Sequence, residues 1–158
     1  MIARLLPSFG RLRRDRSGSS AVELALLAPI LCSMMFGAMD IANGFAMKLS
    51  LEQAAGRAAE LVVSPGTVAS SYSNLPAEVA TAYGGPYSGL TVDNWLECDT
   101  TRQAQFDGSC ATGQRTARYV SISITAEYVP YFNFLGLLRG GGPNGGYMAT
   151  GDATVRVQ

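Results

Sequence analysis

Two carboxylates, Glu23 and Asp40, sit at the edge of and within an otherwise uncharged apolar run, and two cysteines, Cys98 and Cys110, stand in a polar stretch downstream. These are the side chains whose types and spacing could do chemistry. A carboxylate among apolar residues is costly unless it is paired, so each of the first two marks a boundary or a contact. In an oxidising compartment the two downstream thiols are the pair that can close a disulfide, a loop worth on the order of 2–3 kcal/mol. Cys32 lies inside the apolar run, where a thiol behaves as a small hydrophobe. A zinc site needs four ligands, and Cys98 and Cys110 supply two. The chain has no histidine, which removes the usual neutral-pH proton shuttle and the commonest metal ligand. No Ser/His/Asp or Cys/His set can be assembled, and a Ser–Lys pair would have to draw on Lys48, the one lysine. The expectation is a non-catalytic protein with no metal and no cofactor.

The element that must position Glu23 and Asp40 is a membrane helix. Twenty-four residues lie between Glu23 and Lys48, with Asp40 the one charge among them. About 20 apolar residues cross a bilayer core of roughly 30 Å. Charge is uneven although the 12 basic and 12 acidic side chains cancel. Arg4, Arg11, Arg13, Arg14 and Arg16 stand against Asp15 ahead of the run, and Lys48 and Arg57 follow it. The basic excess predicts a cytoplasmic N-terminus and an outer C-terminal portion. The remainder is net acidic and offers no basic face for a phosphate backbone, so nucleic acid is not an expected partner. A cleaved signal peptide is the alternative, but its core would be unusually long. Phe36-Gly37-Ala38 and Ala42-Asn43-Gly44 are poor cleavage sites.

Three segments are expected: a basic cytoplasmic leader over 1–18, a transmembrane helix over 19–47, and an outer domain over 48–158. The helical pattern continues through Lys48–Val63, where Leu51, Ala54, Ala55, Ala58, Ala59 and Val62 share one stripe. Ser64-Pro65-Gly66 ends it. Ala77–Ala82 reads as a short helix and Leu90–Leu96 as a strand. Tyr119–Tyr128 alternates with period two, Val120, Ile122, Ile124 and Ala126 against Ser121, Ser123, Thr125 and Glu127. Gly140–Gly146 reads as a flexible connection and Ala153–Val157 as a strand antiparallel to Tyr119–Tyr128. The fold class is α+β, a long N-terminal helix packed on a small antiparallel sheet.

Ahead of the helix stands Arg13-Arg14-Asp15-Arg16-Ser17-Gly18-Ser19-Ser20-Ala21-Val22-Glu23. A basic leader ends in glycine, and a glutamate follows five residues later. This resembles the processing site of type IV prepilin-like proteins. The resemblance implies cleavage after Gly18 by a prepilin peptidase, a new amine at Ser19, and pairing of Glu23 with that amine or a neighbour's. The other reading of Ser20-Ala21-Val22-Glu23 is a capping box. Gly18–Pro29, Gly37-Ala38-Met39-Asp40 and Gln53–Ala59 together resemble TadE-like proteins of the tight-adherence pilus machinery. Leu24 departs from the aromatic that many such proteins carry after the glutamate. The resemblance implies a minor pseudopilin or pilus-assembly subunit in the bacterial inner membrane. Its partners would be the inner-membrane assembly platform, other pilins or pseudopilins, the peptidase and the lipid bilayer. An uncleaved, signal-anchored periplasmic binding module unrelated to pili is the alternative.

Within the helix, Asp40 is expected either to meet a basic group or polar backbone of a partner, or to mark where the helix leaves the bilayer. Gly37 and Gly44, seven apart and on one face, suit close helix–helix approach. Pro29 is expected to kink the helix. Trp95, Tyr119, Tyr128, Tyr131, Phe132 and Phe134 are expected chiefly in the core. A surface patch at Tyr131–Leu135, facing lipid or a partner, is the other reading.

Overall fold

The computed structural model describes residues 19–64, 69–132 and 140–157. The chain divides into two compact units, Met1–Met39 and Asp40–Gln158. One helix, α1 (Ser19–Val63), enters both. It is continuous through Pro29. Ser33 Oγ, one turn on, donates to the carbonyls of Pro29 at 2.5 Å and Ile30 at 3.2 Å. The helix ends at Val63, where Ser64 folds back to the carbonyls of Leu61 and Glu60, and Pro65 follows.

The second unit is built on the alanine stripe of α1 and a four-stranded antiparallel sheet. Its strands are β1 (Gly89–Cys98), β2 (Thr101–Gln103), β3 (Thr116–Tyr128) and β4 (Tyr147–Arg156), in the order β2-β1-β3-β4. Period-two alternation sends Val120, Ile122, Ile124 and Ala126 of β3 to one face, where each is fully buried. Leu51, Ala54, Ala55, Ala58, Ala59 and Val62 of α1 meet them in one core. The stripe read from the sequence is therefore the packing face. Alanines on it let helix and sheet approach closely. Gly151 of β4, paired with Ile124, takes that approach to its limit. A Cβ there would lie 2.3 Å from the backbone carbon of Leu51 and 2.5 Å from the nitrogen of Glu52.

The opposite face is polar. Ser121 and Thr154 hydroxyls bond across β3 and β4 at 2.9 Å, and Thr125 and Thr150 do so at 3.2 Å. Trp95 stacks on Tyr119, with the Arg102 guanidinium 4.5 Å from its ring centroid. These rings are part-buried on the outer face rather than in the core. A 3-10 turn (Ala69–Asn74) leads into α2 (Leu75–Tyr83), which extends beyond the expected Ala77–Ala82. Its Leu75 and Val79 enter the core. Gly84, at φ 69°, caps it with its N–H on the Ala80 carbonyl, a left-handed position that suits glycine.

Sequence periodicity alone does not locate β2 or the first half of β4. The Gly140–Gly146 segment is a held turn, not a flexible connection. The Glu127 carboxylate accepts the N–H of Gly146 at 2.8 Å and the backbone N–H and side-chain amide of Asn144 at 2.9 and 2.8 Å. Burial pushes the Glu127 pKa up, but these donors outweigh it and hold it below the ordinary 4.5. A lowered carboxylate pKa stabilises the folded turn above the unfolded value, and that stabilisation is lost as pH falls through the folded value. The Gly146 amide proton should therefore titrate with a midpoint below 4.5 in an NMR series, and Glu127→Gln should abolish that titration.

Candidate functional site

The first half of α1 presents apolar side chains on every side. Val22, Leu24, Leu26, Leu27, Ile30 and Leu31 are all more than half exposed, as are Met34, Met35 and Met39. A helix apolar all round is stable when an apolar medium surrounds it. Among the described residues, α1 is the one helix long and apolar enough to cross a membrane. Cys32 is a free, exposed thiol on this surface.

The expected processing residues lie at its start. Gly18 is outside the described residues, Ser19 is the first residue of the helix, and Glu23 is exposed one turn later. Ser20 is helical as well. A Cβ on Gly37 would meet nothing within 4 Å, so a neighbouring backbone could approach there. Gly44 is different. A Cβ there would lie 3.3 Å from the Tyr128 ring, so this glycine receives a side chain of the chain's own sheet.

Asp40 carries the sharpest geometry. It is buried, and its carboxylate accepts the Tyr128 hydroxyl at 3.0 Å and the N–H groups of Tyr131 and Phe132 at 2.9 and 2.8 Å. Burial first, then the bond to Asp40, raises the Tyr128 pKa above 10.0, so the phenol keeps its proton and donates. All three of these donors belong to the chain's own strand end and the loop after it, contacts that neither sequence expectation included. The partners lie 88 to 92 residues away in sequence, and no local pattern announces them. Tyr131 and Phe132, expected chiefly in the core, are 80% and 42% exposed. Binding their amides to Asp40 holds the loop down while the rings point out. Asp40→Ala should leave these part-buried donors without their acceptor. Hydrogen exchange at the Tyr131 and Phe132 amides should then speed up, while exchange in the centre of β3 changes far less.

Cys98 and Cys110 form a disulfide with Cα atoms 5.5 Å apart. It ties the end of β1 to the loop before β3. Arg118 organises the same loop, donating to the carbonyls of Phe106 at 3.1 Å and Gly108 at 2.9 Å. Asp99 and Thr100 form the β1–β2 turn with φ of 47° and 75°. The Asp99 carboxylate accepts the Arg115 N–H at 2.9 Å, bracing this turn. Among the described residues, no group of three Cys, Asp or Glu side chains could hold a metal ion.

No curated protein and no solved structure matches the chain. The family model described as TadE-like protein matches residues 18–60, from Gly18 into the alanine stripe of α1. Over residues 18–60 the chain is therefore similar to TadE-like proteins, the family the sequence resembles.

Proposed function

We propose that this chain is a minor pseudopilin or pilus-assembly subunit of a bacterial tight-adherence pilus system. It acts by helix packing and ectodomain contacts, without catalysis. The observation that carries the reading is that the TadE-like match opens on Gly18 and runs into a helix whose first half is apolar on all sides. In this reading α1 is anchored in the inner membrane with its N-terminus cytoplasmic, and the sheet unit lies outside. A prepilin peptidase cuts after Gly18, and Glu23 pairs with the amine released at Ser19 or with a neighbour's. The open face at Gly37 admits a helix of the assembly platform or of another pilin, because small residues permit close approach in lipid. Gly44 and Asp40 are occupied within the chain and leave that role to Gly37.

The test is the N-terminal residue and intact mass of the protein purified from its native membranes. A start at Ser19 in the membrane fraction is the expected result. A start at Met1 would remove the processed-pseudopilin reading and favour an uncleaved anchor. Soluble protein beginning beyond Ala38 would overturn the anchored reading altogether.

A further inference from the structure

The charge on Asp40 would ordinarily end a membrane span, yet this carboxylate is only 3% exposed and fully engaged by Tyr128, Tyr131 and Phe132. Beyond it the helix surface stays apolar, with Ile41 and Phe45 68% and 63% exposed. The next charges on α1 are Lys48 and Glu52, which pair at 3.0 Å. Helical rise from Glu23 to Asp40 is about 26 Å, short of the roughly 30 Å hydrocarbon core. From Asp40 to Lys48 it is about 12 Å more, enough to complete the core and cross much of the headgroup layer. A span that begins at Glu23 therefore reaches past Asp40, and whatever is bonded to Asp40 lies at the bilayer boundary.

What is bonded there is the loop after β3. Its Val129, Tyr131 and Phe132 are exposed, and Tyr147 and Met148 of β4 are exposed beside them. Between this end of the sheet and the helix lies an open groove of about 510 Å3, lined chiefly by apolar and aromatic residues such as Ile41, Phe45, Tyr128 and Met148, with Asp40, Lys48 and Asp152 also in its wall. Apolar residues with tyrosine among them are what the membrane–water interface favours, since an aromatic ring takes the apolar side and its polar edge stays wet.

We propose that Val129–Phe132 is a second membrane contact, lying in the interfacial layer of the bilayer that α1 spans, with lipid covering the adjoining groove. The inference rests on the anchored reading of α1. Lipid is the occupant because the exposed surface of Ile41 and Phe45 continues the apolar surface of the span, with no exposed charge on α1 between Glu23 and Lys48. In this arrangement Asp40 holds the ectodomain's loop at the level of the headgroups.

The experiment uses the full chain in phosphatidylethanolamine–phosphatidylglycerol nanodiscs. Trp95, the one native tryptophan, is replaced by phenylalanine, and Tyr131→Trp and Ile30→Trp are made separately on that background. Lipids carry a spin-label quencher either near the headgroup or at the acyl-chain end. The tryptophan at 131 should emit to the blue of an exposed indole and lose most of its emission to the shallow label. The tryptophan at 30 should respond chiefly to the deep one. If the reporter at 131 emits as in water and ignores both labels while the one at 30 is quenched, the span stands and the loop contact is wrong. If neither responds, the anchored reading fails and takes this inference with it.

Discussion

Replacing Gly151 by alanine should destabilise the sheet unit by about 3 kcal/mol, the upper part of the range for overpacking a core. The added methyl would sit 2.3 Å from the Leu51 backbone. Backbone cannot turn aside as a side chain can, so α1 and β4 would have to separate. Separation would loosen the contacts of Leu51, which is fully buried, and of Ile124 opposite Gly151. Thermal unfolding of the full chain in detergent, followed by Trp95 fluorescence, should show the midpoint falling by roughly 10 °C. Gly37→Ala is the control. Its new methyl meets nothing within 4 Å, and the same transition should stay in place. Equal loss in both variants would mean the close crossing at Gly151 is not what limits stability.

Loss of the Cys98–Cys110 disulfide should cost a comparable amount, about 3 kcal/mol in the chain-entropy account for a loop of this size. The bond closes twelve residues of separation around β2 and the polar loop, which otherwise contribute little to the core. Cys98→Ser with Cys110→Ser should lower the unfolding midpoint, and a reductant should act on the native chain in the same direction. It should leave the double variant unchanged. Resistance to proteolysis should fall first between Thr101 and Arg115, while β3 and the α1 stripe remain protected. A double variant as stable as the native chain would mean that Arg118 and the Asp99–Arg115 contact hold the loop without the covalent tie.

The parts legible in the sequence are those whose cause is local. The stripe from Leu51 to Val62 repeats at helical spacing, and β3 alternates because one face is buried and the other wet. The cysteine pair was readable because the third cysteine lies in the apolar run. β4 was half hidden: Tyr147-Met148-Ala149-Thr150-Gly151 shows no clean alternation, and its glycine answers to a helix a hundred residues earlier. Asp40 was visible as an anomaly but not as a clasp, since its donors are the last residue of β3 and the loop after it. Glu127 looked like one more polar residue on an alternating strand, because a turn seventeen to nineteen residues later uses its oxygens. In the candidate site, Ser19, Glu23 and Gly37 came from motif and spacing, whereas the internal use of Gly44 belongs to tertiary packing.

The strand order β2-β1-β3-β4 has a kinetic consequence. β3 is central, and it needs β1 from before it, β4 from after it and the α1 stripe from far upstream. Contacts of such long sequence separation pay their loop-closure entropy before any burial rewards them, which slows folding relative to helical bundles. While that search lasts, the alanine stripe has no partner and β3 offers open edges. Arrival of β4 covers one edge and carries Gly151 to the helix. β4 thus completes a core that the stripe of α1 begins.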